Sequence, residues 1–385
     1  HDHKFDAISQ ADYYALFGVL GSCRPGRNVV DLPEYQNLNR EALVGLKSKI
    51  RMTLADVWAE RVDEIVQTLM KKVNEPLEKK KFGQKRLVEV LHRVLDRASE
   101  SSEFSKSWEQ AVSSLRFPNR KSSSWPTDAS LISRHWNLGT KEDRQAWTET
   151  GVGTHNPGFA GDFALATEAD VVLTGIYPSG VYSNAVSTKH AARLTSPDFP
   201  VASDQSLWIE VLGDGDASVR YVIHDYPRNG TVYPVSKLSD QWRWQRFDLS
   251  YWNGESAHVE LSAAMDAPLL AGNRARSWFG VRRVVVADAS AGSPPESSDA
   301  VRWVMEDGVS ASPANESDLR RQLREMLTAL FGRWRSAGNS AGGVSAGEAL
   351  LLDQLIREGI LPNSSEVDDT LSQLLAEYRE LENAI

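Results

Sequence analysis

Five of the chain's twelve tryptophans, Trp208, Trp242, Trp244, Trp252 and Trp278, fall between positions 208 and 278. Indole faces beside Arg, Asn and Asp side chains are how β-sandwich modules grip sugar rings, by stacking on the C–H face and hydrogen-bonding the hydroxyls. The turn Tyr226-Pro227-Arg228-Asn229-Gly230 supplies such polar groups. The candidate carbohydrate contacts are therefore Tyr226, Arg228, Asn229, Trp242, Trp244 and Trp278. Packing is the competing role, because Trp242 and Trp244, two apart, share one face of a strand and sandwich tryptophans commonly fill cores.

Other chemistry is sparser. The chain opens His1-Asp2-His3, and a histidine at that place would complete the haem-attachment signature C-x-x-C-H if two cysteines preceded it. Cys23 is the only cysteine, so the chain contains neither a disulfide nor a Cys-based zinc site nor a complete haem motif. Asp214-Gly215-Asp216 lacks the further oxygen ligands that calcium requires, and no metal site is expected. Asp248, Glu255, Glu260 and Asp266 are carboxylates of the kind a glycosidase pairs, but no spacing singles out a pair. H-E-x-x-H, P-loop and G-x-G-x-x-G patterns are absent, and the chain reads as non-catalytic. Three glycosylation sequons begin at Asn229, Asn315 and Asn363.

Elements that could position these groups follow from periodicity. Apolar residues at helical spacing run from 11 to 20 and again from Asn37 to Asn74, where Leu43, Leu46, Ile50, Leu54, Val57, Ile65, Leu69 and Val73 form a stripe. That stripe has one eight-residue gap, bridged by Arg61 or Val62. A second helix near 84–99 completes an antiparallel hairpin, with a shorter one at 105–115. After Pro118 the texture turns to Trp, Gly, Pro and Ser. Eight strands are expected, at 162–166, 171–176, 192–196, 207–212, 219–225, 244–249, 258–263 and 280–287, separated by Gly- and Asn-rich turns. Such a run describes an antiparallel sandwich of jelly-roll, galactose-binding-like type. Helices resume after a Ser/Pro/Gly/Ala-rich linker, at 319–334, 348–358 and 367–382. The fold class is α+β multidomain, and the helices of the two ends are expected to form one discontinuous subdomain.

The net charge of −9 gives no reason to expect nucleic acid. No apolar run reaches the roughly 18 residues of a membrane span. Residues 31 to 121 carry 18 Lys+Arg against 14 Asp+Glu, a local excess that suits packing against acidic segments.

Several longer motifs point to a family. His1-Asp2-His3-Lys4-Phe5-Asp6, Asp225-Tyr226-Pro227-Arg228-Asn229-Gly230-Thr231-Val232-Tyr233-Pro234, Trp242-Arg243-Trp244-Gln245-Arg246-Phe247-Asp248-Leu249 and Arg276-Ser277-Trp278-Phe279-Gly280-Val281 resemble planctomycete-type cytochrome c-like multidomain proteins. Leu361-Pro362-Asn363 and Leu375-Ala376-Glu377-Tyr378-Arg379 resemble the lead-in to that family's C-terminal domain. One departure is Ala7, where the family usually has proline. The resemblance implies residues 1–35 as a remnant of the cytochrome-like domain and the last helices as the lead-in to the C-terminal domain, while the residue patterns give 36–117 as a helical hairpin region, 118–289 as the sandwich and 290–385 as linker and helices. It further implies His1 as the axial ligand of haem c in the parent protein, a redox partner protein, and a periplasmic or cell-surface location. The sandwich would then bind a polysaccharide or surface glycan; a structural or protein-interaction spacer and a polysaccharide-degrading component are the alternatives.

Overall fold

A computed structural model describes residues 9–22, 32–75, 86–99, 104–113, 125, 128–156, 158–224, 234–263, 276–294, 299–309, 312–338 and 343–385. Its helices are α1 (Gln10–Ser22), α2 (Pro33–Gln36), α3 (Arg40–Glu60), α4 (Val62–Val73), α5 (Leu87–Ser99), α6 (Phe104–Ser113), α7 (Lys141–Gln145), α8 (Asp299–Trp303), α9 (Glu316–Ser336), α10 (Ala346–Arg357) and α11 (Asp369–Asn383). The strands are β1 (Ile132–Asn137), β2 (Thr148–Thr150), β3 (Asp162–Leu165), β4 (Leu173–Tyr177), β5 (Val181–Tyr182), β6 (Arg193–Thr195), β7 (Phe199–Pro200), β8 (Gln205–Asp214), β9 (Ser218–Ile223), β10 (Val235–Lys237), β11 (Arg243–Asp248), β12 (Ser256–Ser262) and β13 (Trp278–Asp288). Among the described residues no helix is long and apolar enough to cross a membrane.

The helices of both chain ends share one core. Leu43, Ile50 and Leu54 of α3 meet Leu323, Leu330 and Phe331 of α9, while Leu371 and Leu375 of α11 close the same cluster. Trp58 lies at its centre, stacked on Trp334 with centroids 4.8 Å apart and tilted against Phe331. The gap in the N-terminal stripe is a real break: Arg61 leaves helical geometry at φ −100° and ψ 17°. That turn lets Val62 enter the core with Ile65 and Leu69 of α4. Start signals are explicit, since Asn315 and Asp368 accept hydrogen bonds from the first-turn amides of α9 and α11. Ser345 and Glu348 cap α10 reciprocally. Val301-Arg302-Trp303-Val304, expected only to interrupt a linker, builds α8 and a following π turn, with Val301 and Val304 fully buried.

Two antiparallel sheets form the sandwich. The first has the order β1-β13-β8-β11 with β5 beside β13; the second has β10-β9-β12-β6-β2 with β7 beside β12. Leu207, Ile209 and Val211 of β8 and Val284 and Val286 of β13 face Val219, Tyr221 and Ile223 of β9 and Val259 and Leu261 of β12 across the core. This alternation is the period-two pattern of a strand with one buried face. A bulge between Val281 and Val284 disturbs the alternation on β13. It turns Arg282 and Arg283 both toward Glu210, at 3.3 and 2.7 Å.

All eight expected strand segments are strands, but two of them leave the sandwich. Among the described strands β3 and β4 pair only with each other, and Phe163, Leu165, Leu173 and Ile176 join the helical core. Gly161 permits the entry: its φ is +87°, and a Cβ there would stand 2.5 Å from Val344 and 3.2 Å from Trp334. Trp334 Nε1 donates to Gly161 O at 2.9 Å. The hairpin thus binds the sandwich segment of the chain into the helical body.

His190 lies in the joint between the two bodies, 5% exposed, and among the described residues neither ring nitrogen has a hydrogen-bond partner. Burial pushes its pKa down to about 4, the nearby Arg40 guanidinium adds to this, and Glu382 opposes it. The unfolded chain, with histidine near 6.5, therefore binds the extra proton first as pH falls. Stability is expected to drop from about pH 6.5 downward, the loss levelling off below about pH 4, with a slope of up to ~1.4 kcal/mol per pH unit from this group. Urea unfolding at several pH values should show His190→Leu with a flatter dependence across this window than the parent chain; equal slopes would exclude the assignment.

Candidate functional site

The tryptophans singled out by sequence are not equivalent. On the outer face of the first sheet, Trp244 and Trp208 lie with Trp125, whose ring centroid is 6.3 and 5.7 Å from theirs. Arg283 covers Trp244 at 5.0 Å and Arg246 covers Trp208 at 5.8 Å. Alternating indoles and guanidiniums are held by cation–π attraction. Glu210 anchors them: burial opposes its charge, but Arg282 and Arg283 outweigh that and hold its pKa below the ordinary range. Farther along the same face, Trp242 meets Tyr182 edge-on at 6.2 Å. Tyr182 stacks on Tyr177 at 4.4 Å, and Tyr177 touches Trp278. Trp252 donates from Nε1 to Tyr221 Oη at 3.1 Å. Trp208, Trp242, Trp244 and Trp252 therefore have packing partners that account for their placement.

Trp278 differs because it also lines an open cleft of about 340 Å³ between the sandwich and the helical body. Residues from distant parts of the chain converge there. The β3–β4 hairpin supplies Ala164 and Thr174, the segment after β5 supplies Asn184 and Ser187, the ends of β8 and β13 supply Asp214 and Trp278, and α10 supplies Arg357. Trp278 is the direct cross-strand partner of Asp214, which sets an indole beside a carboxylate on one face. Asp214 accepts from the Gly215 amide at 2.7 Å and is exposed. Asn184, 5% exposed, donates to Tyr177 Oη at 2.8 Å, and its Oδ1 has no donor among the described residues.

Two arginines border the cleft, and both are engaged. Arg276 forms a two-pronged pair with Glu382, at 2.6 and 2.9 Å, while Ser187 donates to the same carboxylate at 2.6 Å. Burial opposes ionisation of Glu382, but these hydrogen bonds prevail and keep its pKa below the usual range. Arg357 binds Asp353 at 2.8 Å and lies 3.5 Å from Asp240. The guanidiniums thus serve as fixed walls with little spare positive charge.

The remaining candidates separate. His1 and the contacts Tyr226, Arg228 and Asn229 lie outside the described residues, as do Cys23 and Asp266. Covalent haem needs two cysteines, and one is present in the sequence, so these residues alone do not fit haem c. Glu260 forms a buried ion pair with Arg220 at 2.8 Å, Glu255 pairs with His224, and Asp248 accepts from the Ser250 amide. Asp216 is paired with Lys237 at 3.1 Å. Among the described residues no three His, Cys, Asp or Glu side chains group as a metal site. Gly343-Val344-Ser345-Ala346-Gly347 has the G-x-S-x-G spacing of a hydrolase nucleophile turn. Its Ser345 is committed to capping α10. The sequons at Asn315 and Asn363 are likewise in structural use: one caps α9, the other bridges both backbone groups of Leu173.

No protein-family model and no curated protein matches the chain. Among solved structures, the glycoside hydrolase domain of Endo-D from Streptococcus pneumoniae R6 is 14% identical at TM-score 0.20, covering 37% of this chain and 28% of that one. A family 29 carbohydrate-binding module is 11% identical at TM-score 0.22, covering 39% of this chain and 95% of its own. An adhesin domain of Lys-gingipain from Porphyromonas gingivalis w83 is 11% identical at TM-score 0.24, covering 41% and 99%. Values this low say nothing about a ligand.

Replacing Arg276 by Ala would leave Glu382, with a side chain 1% exposed, as a buried carboxylate without its main partner. The expected cost is about 3 kcal/mol, read from urea unfolding at pH 7. Glu382→Gln in the Arg276→Ala background should recover part of it, since the stranded charge is removed. A loss below about 0.5 kcal/mol would show that the pair behaves as an exposed one.

Proposed function

We propose that the chain is a non-catalytic carbohydrate-binding protein and that a saccharide occupies the cleft between the sandwich and the helical body. The observation that carries this reading is the pairing of Trp278 with Asp214 at the cleft. An indole offers a flat apolar surface to the C–H face of a pyranose, and a neighbouring carboxylate accepts from its hydroxyls. Thr174 and Ser187 add small hydroxyl groups to the wall. The volume, about 340 Å³, is at the lower end of the range for small-molecule sites, so one or two sugar units would fit, with further units outside.

The outer face of the first sheet supports a different role for the other aromatics. Trp208 and Trp244 are covered by Trp125, Arg246 and Arg283, which favours a structural function there. An exported location accompanies the glycan reading, because structural polysaccharides are met outside the cytoplasm. A haem-bearing neighbour would have to supply its own attachment cysteines.

Affinity electrophoresis against a panel of soluble polysaccharides, followed by calorimetry, tests the proposal. Trp278→Ala should weaken binding roughly tenfold or more, as expected for an aromatic anchor, with the circular dichroism spectrum unchanged. Trp244→Ala should leave affinity within about twofold, a change below ~0.5 kcal/mol. Retention equal to that of an inert control protein on every polysaccharide would refute the proposal.

A further inference from the structure

The charges around the cleft bear on which saccharides it takes, an inference that rests on the carbohydrate reading above. Of the cations at its border, Arg276 is committed to Glu382 through two hydrogen bonds and also donates to Thr188 Oγ1. Arg357 is committed to Asp353 and approached by Asp240. Lys189, which follows the lining residue Thr188 but does not itself line the cleft, donates to the backbone carbonyls of Glu382 and Asn383. Asp214, by contrast, has its own neighbouring amide as its hydrogen-bond donor and stands beside the Trp278 indole. Among the described residues the cleft therefore presents the Asp214 carboxylate beside the stacking surface and Asp240 in its wall, whereas its guanidinium donors are already engaged.

An incoming carboxylate or sulfate would meet Asp214 and Asp240 and would have to break an arginine pair to find a counter-charge. A sugar ammonium would find Asp214 at the edge of the ring it stacks. We infer that the cleft selects saccharides bearing a free amino group, of the glucosamine type, over uronic or sulfated ones, with Trp278 holding the ring and Asp214 the ammonium.

Calorimetric titration of the full 385-residue chain with a glucosamine tetramer, its N-acetylated counterpart and a galacturonate tetramer tests this at pH 6, where the amine is charged. The amino form is expected to bind about tenfold more tightly than the acetylated one, the usual scale of one charge-assisted hydrogen bond. Galacturonate should bind most weakly. Asp214→Asn should shrink the difference between amino and acetylated forms by weakening the amino form more, because both lose a carboxylate acceptor for a hydroxyl but only the amino form loses a charge partner. Because Asp214 is exposed, this variant should fold as the parent does. Equal affinities for the amino and acetylated sugars, both lost in Trp278→Ala, would overturn the selectivity and leave the carbohydrate reading standing. Tighter binding of galacturonate, or an amine preference that Asp214→Asn leaves undiminished, would also overturn it. Failure of all three to bind, together with failure on the polysaccharide panel, would remove both.

Discussion

Residues Ser183 to His190 are the constraint on which the rest of the molecule depends. This stretch is irregular, yet most of it is buried between the sandwich and the helices, so its polar groups need partners that water cannot provide, and all but a few, such as Asn184 Oδ1 and the His190 ring, find them among the described residues. The partners come from almost every direction. Ser183 exchanges backbone and side-chain hydrogen bonds with Phe279 of β13. Asn184 donates to Tyr177 of β4, and Lys47 of α3 donates to Ala185 O while pairing with Asp162 at 2.9 Å. Tyr378 of α11 donates to Val186 O, and Ser187 donates to Glu382. Removing any one of these leaves a buried group unsatisfied, at a cost of about 1–3 kcal/mol.

The cleft is a consequence of that joint. Because the segment is pinned on one side to β13 and on the other to α11, its residues Asn184 and Ser187 stand at a fixed separation from Trp278 and Asp214. Arg276, paired with Glu382, and Arg357, paired with Asp353, both line the cleft. The cleft wall thus includes irregular segments, held in place by buried hydrogen bonds and by ion pairs, and a wall already ordered costs less to order around any ligand. The same pairs use up the positive charge that would otherwise draw anions.

Much of this fold is legible in the sequence, for identifiable reasons. The stripe from Leu43 to Val73 has the helical period, and its gap marks the turn at Arg61. The sandwich strands alternate or run apolar between strong turn signals. The misplacement of β3 and β4 has a physical cause: a short apolar run shows that a strand is buried but not in which core. β2, β5, β7 and β10 are two or three residues long and leave no periodicity to read. The site was less legible. Trp278 was identifiable as a candidate, but Asn184, Arg276 and Arg357 converge on it only through tertiary packing, and no spacing along the chain encodes that. In the sequence Asp214 stands out only as half of an incomplete Asp-Gly-Asp calcium motif, which does not reveal its place opposite Trp278. Trp242 and Trp244 belong to the same aromatic-rich stretch as Trp278, and only the structure separates packing from a cleft position.

The most direct test of the account follows the indole N–H resonances of the tryptophans by NMR, assigned through single Trp→Phe variants, during titration with a glucosamine oligosaccharide. The Trp278 resonance should shift in a saturable manner while those of Trp208 and Trp244 stay in place. Shifts confined to Trp208 and Trp244, with Trp278 unchanged, would contradict the placement of the site in the cleft.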